Sequence, residues 1–363
     1  MNFDSIQLEV FKHRFAAIAE EMGAVLRKAS YSPNIKERRD FSCAIFNAQG
    51  QMIAQAAHIP VHLGSMPLSV KAAISEDLAG LGPGDMIILN DPFRGGTHLP
   101  DITLVSPVFV SDSDHTSEPR LFGFVASRAH HADVGGMTPG SMPVAREIYQ
   151  EGLIIPPTKI MESGRLVQGV FNLILANVRT PEERAGDLWA QIASNHRGEK
   201  RMIEIVTKFG RDIVQGYMQA MLDYTEAMTR QLLANLPNGE YTFSDEMDND
   251  GITDEPVPIK ATITIKADSA CVDFTGSAKQ QGGSINAVYA ITLSAVYYVF
   301  RCLLGLDVPN NEGCLVPIEV IAPEGSVVNA HHPAPVAGGN VETSQRIVDV
   351  LLGAMALAAP DRI

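Results

Sequence analysis

The sequence predicts an α+β protein in which mixed sheets pack against long helices, arranged in two domains. Its 363 residues exceed what one small core holds, at roughly 100–200 residues per domain. Hydrophobic residues make up 45% of the chain, enough apolar material for buried sheets and helices. Short apolar runs bounded by turn residues alternate with long amphipathic stretches, so we expect both strands and helices.

The chain opens with a long amphipathic helix. Asp4 or Ser5 can cap its start, and Pro33 ends the region. Apolar residues at alternating spacings of three and four form one stripe, made of Leu8, Phe11, Phe15, Ile18, Met22 and Val25. Such a stripe is a packing face, so we give it no role in chemistry.

Short strands dominate the next hundred residues. The expected strands are 41–46 and 51–54, which form a hairpin, then 86–89, 102–110 and 121–127. A helix is expected over 67–78. The polar stretch 111–120 predicts an exposed hairpin tip, and residues 135–157, with four prolines and four glycines, predict an irregular loop.

From residue 168 the pattern becomes helical, with long amphipathic runs around 188–208 and 213–233. The break Pro237-Asn-Gly follows. Beyond it lie β-rich segments at 241–244, 259–266 and 271–274 and apolar helices at 287–304 and 341–358. We therefore predict two domains, residues 1–236 and residues 237–363.

Composition excludes several classes of protein. A net charge of −14 leaves no basic surface for nucleic acid. The most apolar stretch, 287–306, contains Arg301 and is too interrupted for a membrane span, and no signal-peptide core is evident. Four cysteines without paired spacing suit a reducing compartment. We expect a cytoplasmic protein that contacts neither membrane nor nucleic acid.

Motifs for two common chemistries are missing. The sequence contains no Walker-type loop and no Gly-x-Gly-x-x-Gly after a predicted strand. It also lacks a Gly-x-Ser-x-Gly nucleophile elbow. If the function of this protein requires ATP, we therefore expect another chain to bind it.

Histidines and carboxylates gather beside the predicted strands. His98 and Asp101 lie three residues apart in a Gly-rich loop between two strands, and imidazole with carboxylate suits a divalent ion of the Zn, Mn or Fe kind. His130 and His131 end the strand at 121–127, and adjacent strand residues point to opposite faces, so at most one should face His98. Asp40, just before the hairpin, could complete the set.

Each of these groups has an ordinary structural interpretation as well. A His-x-x-Asp pair is common, and paired histidines at a strand end are often hydrogen-bonded surface residues. A metal site is favoured because the His-x-x-Asp pair and the paired histidines both lie in loops that follow strands of one predicted sheet. We interpret His58 and His62 as hydrogen-bonded loop histidines, with a pocket-lining role as the alternative.

Long motifs of the chain resemble the hydantoinase B/oxoprolinase family, which also includes subunits of acetone and acetophenone carboxylases and of lactam-opening enzymes. The matching segments are Arg39-Asp-Phe-Ser-Cys43, Ala57-His-Ile-Pro-Val-His-Leu-Gly-Ser65, Asn90-Asp-Pro-Phe-Arg-Gly-Gly-Thr-His-Leu-Pro-Asp101, Ser127-Arg-Ala-His-His-Ala-Asp-Val-Gly-Gly136 and Gly338-Gly-Asn-Val-Glu-Thr343. Members of this family usually continue well beyond residue 363, so the last domain is expected to be incomplete.

The resemblance implies a metal-carrying subunit in a hetero-oligomer with a hydantoinase A-type ATPase. Its ligand set, two aspartates and two histidines, falls on Asp40, His98, Asp101 and one of His130 or His131. We prefer His130, because it keeps the family's spacing once the tip at 111–120 is treated as slightly long. One divalent metal ion and ATP on the partner are the implied cofactors.

The leading hypothesis is ring opening of a cyclic amide, a hydantoin or 5-oxoproline-like ring. The partner phosphorylates the carbonyl oxygen, which removes amide resonance, and water activated at the metal then attacks. His131 or Asp133 could shuttle the proton or orient a ligand. The alternatives are ATP-dependent carboxylation of a ketone at the same metal and a non-catalytic subunit that only binds its partner.

Overall fold

The computed structural model describes residues 4–57, 59–77, 80–111, 118–305 and 307–362. Within these ranges the α-helices are α1 (Ser5–Ala29), α2 (Pro33–Lys36), α3 (Ser65–Asp77), α4 (Gln168–Ala176), α5 (Pro181–Phe209), α6 (Arg211–Ala234), α7 (Tyr289–Leu303) and α8 (Glu342–Ala358). The strands are β1 (Phe41–Asn47), β2 (Met52–Ala57), β3 (Met86–Leu89), β4 (Asp101–Val110), β5 (Arg120–His130), β6 (Thr158–Glu162), β7 (Arg165–Leu166), β8 (Gly239–Met247), β9 (Val257–Lys266), β10 (Ser269–Asp273) and β11 (Ile318–Ile321).

The first seven strands form one antiparallel sheet in the order β2-β1-β5-β4-β3-β6-β7. Its central strands are buried on both faces. Val125 and Ala129 of β5 pack into the apolar cluster that includes α1 and α5, whereas Phe124 and Ala126 pack into the cluster that includes α3 and α7. Side chains along a strand point alternately to its two faces. The odd-numbered residues Val125 and Ala129 therefore face α1 and α5, and the even-numbered residues Phe124 and Ala126 face α3 and α7.

The last four strands form a second sheet in the order β11-β10-β9-β8, in which β10 and β11 run parallel. Helix α8 packs on β8 and β9 and also contacts α7. One apolar cluster joins residues from both parts of the chain, such as Leu104 and Ile160 with Ile263 and Ile347. The two parts therefore share a core, and their division into domains near residue 237 stays a prediction.

The α+β class is confirmed, and the long predicted helices and hairpin strands occur close to their expected bounds. Asp4 caps α1, accepting the backbone N–H of Ile6 at 3.0 Å, as anticipated. Strands β6, β7 and β11 were not predicted. Residues 112–117, most of the expected exposed tip, lie outside the described residues. No helix within the described ranges is both long and apolar enough to cross a membrane.

Candidate metal site

The site lies at one end of the seven-stranded sheet, where the ends of β1, β4 and β5 meet. β1 and β4 begin at this end of the sheet, and β5, antiparallel to both, finishes there. Asp101 is the first residue of β4 and pairs directly with His130, the last residue of β5. Directly opposite residues share a face, so the sheet register itself brings this carboxylate and this imidazole together.

His98 joins them from the turn that precedes β4. Asn90 holds this turn, because its side-chain amide donates to the carbonyl of Leu99 at 2.7 Å and to that of Leu153 at 3.0 Å. In addition, the N–H of Asp101 donates to the carbonyl of His98 at 3.1 Å. The imidazole of His98 is thereby placed over the start of β4.

The three side chains present one atom each to a common point. His98 Nε2 lies 3.2 Å from His130 Nδ1, and both nitrogens lie 3.3 Å from Asp101 Oδ1. His98 and Asp101 are buried, while the His130 side chain is 17% exposed. These three residues are a group able to hold a metal ion within the described part of the chain.

The tautomer of His98 supports this interpretation. Its Nδ1 lies 3.4 Å from the carbonyl oxygen of Ala337, to which only an N–H can donate. Nε2 of the neutral ring then carries a lone pair aimed at Asp101 and His130. Metal-binding histidines are commonly oriented in this way by a hydrogen bond from the other ring nitrogen.

The residues present fit a divalent ion. Asp101 Oδ1 is buried and has no hydrogen-bond partner among the described residues. A lone pair and a carboxylate oxygen in such proximity repel one another unless a cation or proton lies between them. Ligand atoms around a tetrahedral ion with bonds of about 2.0–2.1 Å lie about 3.3–3.4 Å apart, which matches the observed triangle.

The second oxygen of Asp101 is held by Thr97 and lies close to His62. Thr97 Oγ1 donates to Asp101 Oδ2 at 2.5 Å, and His62 Nε2 lies 3.5 Å from the same atom. His62 Nδ1 is 3.0 Å from Ser42 Oγ. His62 is therefore the hydrogen-bonded loop histidine expected from the sequence, and it adjoins the candidate ligand. His58 lies outside the described residues.

The electrostatics keep Asp101 ionised. Burial by itself would raise its pKa, but the neighbouring imidazoles of His98, His130 and His62 hold the pKa of Asp101 well below the usual range. Burial likewise opposes protonation of His130, yet Asp101 raises the pKa of His130 above its ordinary value. Burial lowers the pKa of His62. The pocket thus stabilises a carboxylate surrounded by imidazoles.

Asp40 lies beside this triangle. Its backbone carbonyl accepts the N–H of His130 at 3.0 Å, and its charge raises the pKa of His130. The Asp40 carboxylate lines a cavity of 540 Å³ next to the cluster, together with Asn340, whose Nδ2 is 3.3 Å from His98 Nε2. Asp40 thus lies next to His98, Asp101 and His130 but is not part of their group. Its role as a fourth ligand stays a prediction.

The structure does not bring His131 and Asp133 into the cluster. His131 points to the opposite face of the sheet, where Nε2 is 2.8 Å from Gln191 Oε1 of α5, and burial lowers its pKa to about 4. Asp133 pairs with Arg179 at 2.8 Å and accepts two backbone N–H groups. The expectation that either shuttles a proton at the site therefore has no support from the geometry.

Two buried charged residues near the site were missed by the sequence analysis. Arg128, two residue pairs from Asp101 in the sheet, has no carboxylate partner among the described residues and donates to the hydroxyls of Thr103, Ser65 and Ser69. Burial lowers its pKa to about 10. The sequence could have indicated Arg128 because it lies inside the motif at 127–136. An arginine is almost never fully buried unless it is paired.

The second is Glu151. Its Oε1 accepts the backbone N–H groups of Val336 at 2.8 Å and Ala337 at 3.0 Å, while its buried Oε2 has no partner. Burial raises the pKa of Glu151 to about 7. Because Ala337 is the residue whose carbonyl faces His98, Glu151 helps to fix the backbone that orients a candidate ligand. Nothing in the sequence around residue 151 indicated this role.

Fold and cluster together define a class, an α+β protein with a candidate metal site of two histidines and one carboxylate at the end of an antiparallel sheet. The profile of the Hydantoinase B/oxoprolinase family matches residues 4–363, and the chain belongs to that family. The resemblance identified from the motifs is thus confirmed.

Relatives and solved structures agree with this assignment. The chain is 42% identical to an uncharacterised protein of Methanocaldococcus jannaschii over 99% of its length, and 40% identical to 5-oxoprolinase 1 of Arabidopsis thaliana over 98%. It superposes over its whole length on the ATP-dependent caprolactamase of Pseudomonas jessenii with a TM-score of 0.92 and 30% identity. The chain spans only 63%, 29% and 62% of these three proteins, respectively.

Proposed function

We propose that this chain is the metal-holding subunit of an ATP-dependent enzyme that opens a cyclic amide. The observation that carries the proposal is the buried triangle of His98, Asp101 and His130, with its unpaired carboxylate oxygen and fixed histidine tautomer. We assign these three residues as metal ligands and Asp40 as the fourth. No role in the reaction is assigned to His131 or Asp133.

Cyclic amides resist hydrolysis because resonance weakens the carbonyl as an electrophile and the nitrogen leaves poorly. Phosphorylation of the carbonyl oxygen by a partner would remove that resonance. A divalent ion held by the cluster would polarise the substrate oxygen and make water a better nucleophile near neutral pH.

The chain's own residues hold and shape this centre. Asp101 supplies negative charge from a carboxylate that a hydrogen bond from Thr97 keeps in one orientation. Ala337 fixes the His98 ring, and Glu151 fixes Ala337. Burial of Asp101 and His98 excludes bulk water from the inner side of the cluster, whereas the partly exposed His130 lies on the accessible side.

ATP is expected to act on a second polypeptide or on a further part of the same protein. The sequence has no phosphate-binding loop of the Walker type. The related plant 5-oxoprolinase is more than three times as long as the matching region, and the related caprolactamase is named as ATP-dependent. We propose a hydantoinase A-type ATPase as the partner, in a hetero-oligomer.

The test is ATP-dependent loss of a cyclic amide, with hydantoin, 5-oxoproline and caprolactam as substrates, by the chain together with such an ATPase. His98→Ala is expected to abolish turnover and keep the fold, because Ala337 and Asp101 lose only a side-chain contact. His13→Ala, at a histidine 73% exposed on α1, is the matched control and should leave turnover unchanged. Substantial turnover by His98→Ala would reject the proposal. ATP-dependent uptake of labelled bicarbonate would instead favour a carboxylase.

A further inference from the structure

A positive charge is buried next to the candidate metal site, on Arg128 of β5. The side chain of Arg128 is inaccessible to solvent, and it lies on the same face of the sheet as Asp101 and His130. Burial lowers the pKa of Arg128 to about 10, so the guanidinium keeps its charge at neutral pH. The charge of Asp101 in turn raises this pKa, so the two groups are near enough to interact.

The hydrogen bonds of Arg128 engage all three of its side-chain nitrogen atoms without neutralising its charge. Nε donates to Thr103 Oγ1 at 2.9 Å, and the two Nη atoms donate to the hydroxyls of Ser65 and Ser69. No carboxylate of the described ranges forms an ion pair with Arg128. A charged group that is buried without an opposite partner is costly, so stability alone does not explain an arginine at this position.

The two serine hydroxyls connect Arg128 to the surroundings of the site. Ser69 Oγ donates to the carbonyl of Gly95 at 2.6 Å, in the loop that leads to β4. Ser65 Oγ donates to the carbonyl of Val61 at 2.9 Å, and Val61 lines the cavity of 540 Å³ beside the cluster. The guanidinium is therefore held at a fixed place near the cluster and the cavity, although it does not line the cavity itself.

Arg128 gives the metal-loaded site a net positive charge. A divalent ion held by Asp40 and Asp101, with neutral histidines, would leave that centre formally neutral, and Arg128 then adds one positive charge. Arg38, whose charge also opposes protonation of His130, is exposed and screened by water. An anion at the metal would therefore be attracted by a buried, poorly screened cation.

Other charges near the site do not cancel that of Arg128. Asp349, at the exposed rim of the cavity, lies 3.8 Å from Arg346, so this carboxylate has a cationic partner of its own. Glu151 lies behind Ala337, and with a pKa of about 7 it carries on average about half a charge at pH 7. The field at the cluster therefore stays positive.

We infer that Arg128 makes the metal site a binding site for an oxyanion, and that this anion is the phosphoryl group of the activated ring. The inference rests on the proposed function, in which the ring reaches the metal already phosphorylated. Arg128 acts through its charge and not by contact, so it is a positioning residue. Its field favours the ring that carries a phosphoryl group over the same ring without one.

Inorganic phosphate is the probe, because it presents the same oxyanion and needs no ATPase partner. Its dissociation constant is measured at pH 7 by calorimetry on the metal-loaded chain, and the metal content is measured before and after. We expect Arg128→Met to weaken phosphate binding about tenfold or more and to keep its metal. Arg128→Lys, which retains the positive charge, should stay within about threefold of the wild type.

Arg301→Met is the matched control, because it removes the same unit of net charge elsewhere. Arg301 lies in the last turn of α7, outside the cavity lining, and donates to the carbonyls of Gly305 and Val308. This variant should bind phosphate as the wild type does. If Arg128→Met does not fold, Arg128→Gln takes its place, since its amide can still bond to the serine hydroxyls.

Unchanged phosphate affinity in the neutral variant, or an equal loss in the neutral variant and in Arg128→Lys, would overturn the inference. So would a metal-loaded wild type that does not bind phosphate at millimolar concentration. Loss of metal from the folded neutral variant would make Arg128 a structural residue and would also overturn it.

The two proposals fail separately. If the complete enzyme opens rings with ATP but phosphate binding does not depend on Arg128, the inference is wrong and the proposed function stands. If phosphate binding depends on Arg128 but no ring is opened with ATP and an ATPase partner, the oxyanion site stands and the proposed function is wrong.

Discussion

Two buried polar clusters lie on opposite faces of the seven-stranded sheet at one of its ends. They differ in whether their charged and polar groups have hydrogen-bond partners. On the face covered by α3 and α7, His98, Asp101 and His130 bring acceptor atoms together and leave a carboxylate oxygen without a hydrogen bond. Acceptor atoms this close together repel one another in a protein interior that holds no cation. A bound cation makes the same arrangement favourable.

On the face covered by α1 and α5, the charges are compensated by fixed partners. Asp187 accepts the backbone N–H groups of Tyr31 and Ser32 and a bond from Arg184 at 3.0 Å. His131, neutral because burial lowers its pKa to about 4, contacts Gln191. Buried charge alone therefore does not indicate a metal site. The candidate metal site differs from the other cluster because the lone pairs of its side chains face one another.

The most direct way to break this comparison is to remove the two adjacent histidines one at a time. His130→Ala should lower metal affinity more than a hundredfold, because a ligand contributes more than the 10–100-fold typical of residues behind it. His131→Ala should keep its metal and lose about 1–3 kcal/mol of stability, because the buried Oε1 of Gln191 is left without a donor. Metal content by elemental mass spectrometry and urea unfolding separate the two effects. Loss of metal from folded His131→Ala would contradict the assignment of the two faces.

Removing the charge balance on the other face should affect stability alone. Asp187→Ala leaves the buried Arg184 without this partner and two N–H groups without an acceptor, so we expect a loss of about 3–5 kcal/mol in the free energy of unfolding. Asp223→Ala, at an exposed position of α6, is the control and should change stability by less than about 0.5 kcal/mol. If folded Asp187→Ala lost its metal, the two clusters would not be independent.

A pH effect is expected from Glu151, which lies behind the metal cluster. Its pKa is about 7 in the folded chain and near 4.5 when unfolded, so its contribution to stability is complete below pH 4.5 and is lost as pH rises through 7. The wild type should therefore lose up to about 3 kcal/mol between pH 5 and 8 relative to Glu151→Gln. Unfolding of the metal-free chain at both pH values measures this difference.

Glu182→Gln is the control for that experiment, because Glu182 is exposed on the first turn of α5. Its stability should follow that of the wild type at both pH values. Parallel curves for the wild type and Glu151→Gln would mean that Glu151 is not held in a pocket that favours its neutral form.

The elements that could be predicted from sequence are those with a strong local pattern. The stripe of α1 and the hairpin of β1 and β2 depend on spacing within a few residues. Strand β6 was missed because Thr158–Glu162 is short and mixes polar with apolar residues. It becomes a strand by pairing with β7 and with β3, which lies more than 60 residues earlier in the chain. Likewise, β11 exists through its parallel pairing with β10.

The site shows the same limit. The spacing of His98 and Asp101 is local, so both could be named from the sequence. Strand alternation separated His130 from His131, but the sheet register that pairs Asp101 with His130 decides which of the two faces His98 and Asp101. Asn340 and Ala337 reach His98 across 242 and 239 residues of chain, which no local pattern records.

The central claim is that the triangle of His98, Asp101 and His130 holds a divalent ion. Elemental mass spectrometry on the purified chain, grown with zinc, manganese and iron, beside an Asp101→Ala variant shown to be folded by circular dichroism, tests it directly. We expect close to one metal ion per wild-type chain and almost none in the variant. Well-folded wild-type protein without metal, or equal metal in both proteins, would contradict the account.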